Sequence, residues 1–470
     1  VMLGVMNPHK LTDALTDVEP GTSAAVDTRF FGHPRGLATL FFTEMWERFS
    51  YYGMRAFLLF YMVTPVANGG LGFTDAQGTS LYGTYTGSAW GAAIIGGIIA
   101  DKMIGQYRSV LYGGILIMLG HLSLVFQALP FFYAGLALIV IGTGLLKPSV
   151  STLVGSLYPQ GDPRRDAGFS IFYMGINSGA MLGPIIAGYV AQKIDWHLGF
   201  GCAAIGMALG LVQYVLDKRY LAPALQRMEA EKKMQAAGPV AHVSAAHSSA
   251  GTLGFTSGEW GRIAAIVVLF LFASLFWAGY EAAGSSLALF ADRNTDLHIL
   301  GFEFPSSWFQ VLQPFFVIVL APLFAWLWIR LGSREPSVPT KFAFGLLFMG
   351  LAFVIMLPAG AAVAADNTLR VSVWWLIIWN LFSEFGELCL SPVGLSAITK
   401  LSPARIVGLM MGVWFLSLAF GNKLSGWTAG LISTMSFIGV LEWMGGTLLV
   451  ASLLMFVLVK PVRRLMGDVK

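Results

Sequence analysis

A bilayer-length apolar run that carries four charges constrains this chain more than anything else in it. From Gly36 to Val63 the residues are mostly apolar, and about 20 such residues suffice to cross a membrane as a helix. Yet Glu44, Glu47, Arg48 and Arg55 lie inside the run, with Tyr51 and Tyr52 between them. Counted from Glu44, the other charges fall at offsets three, four and eleven, and the tyrosines at seven and eight. At 3.6 residues per turn these positions form one stripe. A charge at mid-bilayer costs about 2.5–3.5 kcal/mol on insertion scales. Four on one helix therefore require a protein interior or a water-filled cavity beside them. A structural ion-pair network meets that requirement. A pathway for protons or a charged solute meets it and also gives the tyrosines a task.

The remainder of the chain is built for the same solvent. Of 470 residues, 56% are hydrophobic and only 11% charged, against about 25% charged in a soluble domain. The 55 glycines suit close helix packing in lipid. Apolar runs predict an all-α membrane protein of twelve transmembrane helices, at 36–63, 79–100, 108–128, 131–157, 167–192, 198–216, 260–290, 306–331, 341–358, 372–399, 405–433 and 437–460. Lys and Arg outside the spans divide 22 to 3 between the two sides, with Lys193, Arg293 and Arg370 on the poorer one. That asymmetry places both termini in the cytoplasm.

The predicted organisation is a tail at 1–35, a six-helix bundle at 36–216, a cytoplasmic linker at 217–259, a second bundle at 260–460 and a tail at 461–470. The linker opens with a basic amphipathic stretch, Leu225 to Met234, which predicts a short surface helix. His242 and His247 read as solvated linker residues. Residues 1–34 are mostly polar, so no secretory signal is expected. Cys202 and Cys389 sit in apolar runs and read as small buried hydrophobes rather than a disulfide or metal pair. Dispersed basic residues argue against a nucleic-acid partner. The absence of clustered histidines argues against a metal centre and against a membrane enzyme, since His121 alone lies well inside a span. No cofactor is expected.

Other spans carry isolated polar groups. Lys147 is some sixteen residues into its span and precedes Pro148, which frees a backbone carbonyl. It fits a cavity lysine, and also one that snorkels to the helix end. Asn177 fits equally the recognition of a peptide-like backbone and an interhelical hydrogen bond beside glycines. Trp277 and Glu281 are four apart, hence on one face. Gln310, Gln313 and Pro314 follow in the eighth span. Glu384 and Glu387 share a face in the tenth, and Ser417 precedes Asn422 and Lys423 in the eleventh.

These residues together resemble the proton-dependent oligopeptide transporter family, a branch of the major facilitator superfamily. The resemblance rests on Glu44-Met-Trp-Glu47-Arg48-Phe49-Ser-Tyr51-Tyr52-Gly53, on Phe172-Tyr173 with Ile176-Asn177, on Phe276-Trp277 with Glu281, and on Glu387 through Ser391-Pro392-Val393-Gly394. It implies import of di- and tripeptides driven by protons, by a bacterial inner-membrane protein that works as a monomer. Carried over, Glu44, Glu47 and Arg48 are the coupling cluster, joined by Glu281. Arg55 and Lys147 bind the peptide carboxylate, and Glu387 its amino group. Asn177, Tyr51, Tyr52, Trp277 and Ser417 line the site. Arg55 with Glu281 gates the outer side and Lys147 with Glu387 the inner. The loop after the second span resembles the superfamily's loop signature, with Asp101 and Arg108 in the roles that hold helix ends together. The competing reading there is a solvated loop with ordinary topology charges.

Two departures stand out. Gln313 replaces an asparagine before the proline of the eighth span, and Trp90 replaces a pocket tyrosine. The main rival in the same class is a proton-coupled carrier of another solute, such as nitrate, a drug or an amino-acid-like molecule. Acids and bases opposed across the two halves favour a zwitterion.

Overall fold

In the structure, a computed structural model, residues 27–159, 162–237, 255–299, 301–403 and 406–467 are described. Helices α1 (Arg35–Val63), α2 (Asp75–Ile99), α3 (Gln106–Leu124), α4 (Leu129–Ser156), α5 (Arg165–Gly183) and α6 (Trp196–Leu216) form one bundle. Helices α7 (Ser257–Tyr280), α8 (Leu312–Leu331), α9 (Val338–Ala365), α10 (Trp374–Leu401), α11 (Val407–Gly430) and α12 (Phe437–Met466) form the other. Eight of them are long and apolar enough to cross a membrane by length and composition. Helix α1 is not among the eight, because every 18-residue stretch of it carries at least three charges. Its stripe is instead covered by protein: Glu44, Glu47, Arg48 and Arg55 are all buried.

Local signals set most boundaries. Thr74 accepts from the Gln77 amide at 3.2 Å while the Gln77 side chain accepts from the Thr74 amide at 3.0 Å, a reciprocal cap that starts α2 four residues before the apolar run. Asp195 caps α6 through the amides of His197 and Leu198, at 2.9 and 3.0 Å. Helix α9 runs past Pro358, where the sequence predicts its end, to Ala365. Ala359 and Gly360 are buried there, Gly360 against Leu441 and Ile438 of α12, and that packing outweighs the lost backbone bond.

These helices alternate in direction, which puts both ends of the described chain on one side, the terminal side. The bundles meet mainly on the other, distal side. Gly83 and Gly87 of α2 lie against α11: a Cβ on them would stand 2.6 Å from the Asn422 carbonyl and 2.7 Å from that of Ala419. Only glycine allows that approach. Around this seam, Arg293 pairs with Asp75 at 2.6 Å and Lys193 with Glu303 at 3.0 Å. Gln192 accepts from the Ser307 amide at 2.9 Å and donates to the Ser306 hydroxyl at 2.8 Å, and the Trp308 indole donates to the Ile185 carbonyl at 3.2 Å.

The terminal side differs. The surface helix expected from Leu225 begins at Lys218, directly after α6, and runs to Ala237. It is docked rather than free, because Leu221 and Ala224 are buried, with Leu225 and Met228 on the same apolar face. Arg227 donates to the Ser156 carbonyl at 2.8 Å. Nearby, Arg164 donates to the backbone carbonyl of Gly32 at 3.2 Å and pairs with Asp162. That guanidinium holds the Asp162 carboxyl down at about 2. The rest of the linker, with His242 and His247, lies outside the described residues. In the second bundle the terminal side holds a cavity of about 1280 Å³, lined by Phe324, Trp328, Lys341, Lys400 and Arg463 among others.

Candidate functional site

Helix α1 is the spine of the site. Arg48 reaches back one turn to Glu44, at 3.2 Å, and sideways to Glu47. Glu47 is fully buried and Arg48 and Glu44 nearly so. One oxygen of each acid, Glu44 Oε2 and Glu47 Oε1, and Arg48 Nη2 have no hydrogen-bond partner among the described residues. Two carboxylates thus share one guanidinium, so a single added proton makes this buried cluster neutral. The guanidinium also lies over the rings of Tyr51 (5.2 Å) and Tyr52 (5.7 Å).

Two turns further along α1, Arg55 crosses to the second bundle. Its Nη2 pairs with Glu281, and its Nε donates to the Tyr82 hydroxyl at 2.7 Å. Glu281 sits where span seven breaks: α7 stops at Tyr280, a 3-10 turn covers Glu281–Gly284, and the helix resumes at Ser286. A Cβ on Gly284 would stand 2.3 Å from the Tyr82 hydroxyl and 3.3 Å from Arg55 Nη2. The absent side chain is what lets this cross-bundle cluster close. The family resemblance implies the pairing of Arg55 with Glu281, but no motif in the chain marks Tyr82.

Lys147 keeps different company. Among the described residues no carboxylate lies within ion-pair distance of it, and no ion pair joins it to Glu387. Its ammonium sits 3.3 Å from the centre of the Trp90 ring. Trp90 is in turn stacked on Phe415 of α11, at 6.1 Å and 12°. On the opposite bundle, Tyr280 donates to Glu384 Oε1 at 2.9 Å. Glu384 Oε2 and Glu387 Oε2 are buried without a partner among the described residues.

The other expected residues divide. Asn177 is buried and its amide donates to the Tyr173 carbonyl at 2.9 Å, which leaves its oxygen available. Gln313 Nε2 and Trp277 Nε1 are buried and unpartnered among the described residues. Ser417 is fully buried, and its hydroxyl turns back to the Trp414 carbonyl at 2.7 Å. Asp101 accepts from the Gln106 side chain at 2.5 Å, and Arg108 is exposed. Tyr173 lies within the Phe172-Tyr173 motif, which by itself gives it no role. It is 46% exposed on an otherwise membrane-length helix, with Glu387 and Tyr52 as electrostatic neighbours. Its hydroxyl therefore faces the space between the bundles rather than lipid.

The sequence profile of the POT family matches residues 107–246 and 257–444. The chain is 35% identical to the di-/tripeptide transporter of Lactococcus lactis subsp. cremoris, over 94% of this chain and 98% of that one. It is 45% identical to the uncharacterized transporter YclF of Bacillus subtilis, over 90% and 94%. Among solved structures it is similar to peptide transporter POT in complex with sulfate, with a TM-score of 0.84, 40% identity and coverage of 95% of this chain and 98% of that chain. A POT family transporter in complex with 5-aminolevulinic acid gives a TM-score of 0.81, 32% identity and coverage of 93% and 98%. The architecture is the two-bundle fold of the major facilitator superfamily, and the chain belongs to the POT family of transporters.

Proposed function

We propose that this protein is a proton-coupled symporter that imports di- and tripeptides by alternating access across a bacterial inner membrane, with both termini in the cytoplasm. The observation that carries this reading is the unequal pairing of two cations. Arg55 of the first bundle is paired across the interface with Glu281, while Lys147 and Glu387, on opposite bundles, stand apart. An ion pair that forms in one state and breaks in the other gates a pathway. The distal seam is closed by the first pair. A zwitterionic peptide then enters or leaves from the terminal side, its carboxylate toward Lys147 and its amino group toward Glu387.

Recognition by termini and backbone leaves peptide side chains free to vary. Asn177, Gln313, Tyr52 and Tyr173 offer hydrogen-bonding groups around that axis, and Trp277 an aromatic wall. The Glu44–Glu47–Arg48 cluster takes the coupling proton, and Glu281 releases Arg55 when neutralised. A proton entering down about 100 mV contributes about 2.3 kcal/mol, plus its pH gradient. The chain acts as a monomer, with the proton as coupling ion and no other cofactor.

The test is uptake in proteoliposomes under an imposed pH gradient, with a dipeptide compared against nitrate and a free amino acid. The dipeptide alone should accumulate. Glu47→Gln should lose accumulation while peptide counterflow persists. A variant that still accumulates dipeptide under the gradient would show that coupling lies elsewhere.

A further inference from the structure

We infer that Trp90 is a positioning residue for Lys147: its indole face holds the ammonium away from the site's carboxylates and presents it to a peptide carboxylate. This rests on the peptide-transport reading and adds to it a residue that acts through Lys147.

The arrangement begins in the backbone. A Cβ on Gly96 of α2 would stand 2.0 Å from the Gly144 carbonyl of α4, and one on Gly144 would stand 2.7 Å from the Ala92 carbonyl. These small residues bring the two helices to near contact just beside Trp90 and Lys147. There the lysine ammonium lies over the indole, 3.3 Å from the ring centre. An ammonium within about 6 Å of an aromatic face is attracted by the ring quadrupole, and tryptophan is the strongest such partner.

The competing partners are acids. Glu44 and Glu47 are electrostatic neighbours of Lys147, yet both are engaged by Arg48. Glu387 is on the facing bundle. A lysine with no restraint would pair with a carboxylate, and a peptide would then have to displace that partner. The indole holds the charge without neutralising it, so the ammonium is still able to pair. The ring itself is held by both bundles, since Phe415, stacked on it, belongs to α11. The perch is thus assembled from α2, α4 and α11, and its geometry depends on how the bundles are disposed.

The experiment measures binding of a dipeptide and of its C-terminal amide to the full-length protein in detergent. Trp90→Leu should weaken the dipeptide about tenfold, the order a partly desolvated cation–π contact supplies, and leave the amide unchanged. Trp90→Phe and Trp90→Tyr should restore most of the loss. Fluorinated tryptophans placed at position 90 alone keep the shape and drain charge from the ring face, so dipeptide affinity should fall stepwise with each added fluorine. That series remains informative if the leucine variant folds poorly. A flat fluorination series, or equal losses for dipeptide and amide, would reduce Trp90 to a space-filling residue and overturn the inference. Failure of the unmodified protein to bind any dipeptide would instead overturn the transport reading.

Discussion

Arg55 and Lys147 are two cations at the interface between the same two bundles, and they are held in opposite ways. Arg55 has polar partners on both sides: a carboxylate from the other bundle and a tyrosine from its own. Lys147 has a ring face. Arg55 lies beside the distal seam, where glycines, amide hydrogen bonds and exposed ion pairs all close the same gap. Lys147 has no ion pair with Glu387 or any other carboxylate among the described residues, and its ammonium rests on Trp90. The contrast teaches that one state of a rocking carrier is recognised by which of its charges are satisfied. A buried ion pair contributes little net stability against an apolar alternative, but breaking it by removing one partner is expensive. It therefore suits a clasp.

The largest effect expected from breaking this contrast is at the paired cation. Arg55→Ala leaves Glu281 buried without a cation, at a cost of about 3–5 kcal/mol to the distal-closed state. Spin labels on the distal ends of α2 and α11 should then report a longer distance; an unchanged distribution would mean the pair is not the clasp. At the open pair, Glu387→Ala should weaken dipeptides by about 1.5–3 kcal/mol, the range for a charged hydrogen bond, and spare N-acetylated peptides. Equal losses for both would defeat the amino-group assignment.

Gly284→Ala sharpens the comparison without touching a charge. The new methyl must push Tyr82 or Arg55 aside, which costs about 1–3 kcal/mol as overpacking. Uptake should drop, and Tyr82→Phe, by removing the hydroxyl, should restore part of it. No restoration would place the clash elsewhere. The smallest effect is expected at Asp75→Asn, since the exposed pair with Arg293 is worth about 0.2–1 kcal/mol. Its small shift in the same spin-label distance should vanish at high salt; a shift that persists in salt would make this pair part of the buried clasp.

Much of the fold is legible in the chain because lipid leaves few choices. Backbone groups without water must bond within helices, so runs of Leu, Phe, Val and Gly predict α1 to α12 closely. Misplaced ends come from effects that apolar periodicity does not carry: the Thr74 cap, the packing that carries α9 past Pro358, and the apolar face that docks Lys218–Ala237. The site was legible where a charge stood in an apolar run, as with Glu44, Glu47, Arg48, Arg55, Lys147 and Glu281. Tyr82 and Tyr173 gave no such signal, because a tyrosine in a membrane helix also fits a packing or interfacial role.

The sequence by itself determined that charges must be buried between two apolar bundles, because hydrocarbon cannot solvate them. Only the tertiary structure decided which charges meet. Arg55 pairs with Glu281 across 226 residues of chain, Lys147 rests on Trp90, and Ser417 turns back into its own helix. Those choices depend on distances of a few ångströms between separate helices, set by where glycines allow backbones to touch, and no spacing along one chain segment encodes them.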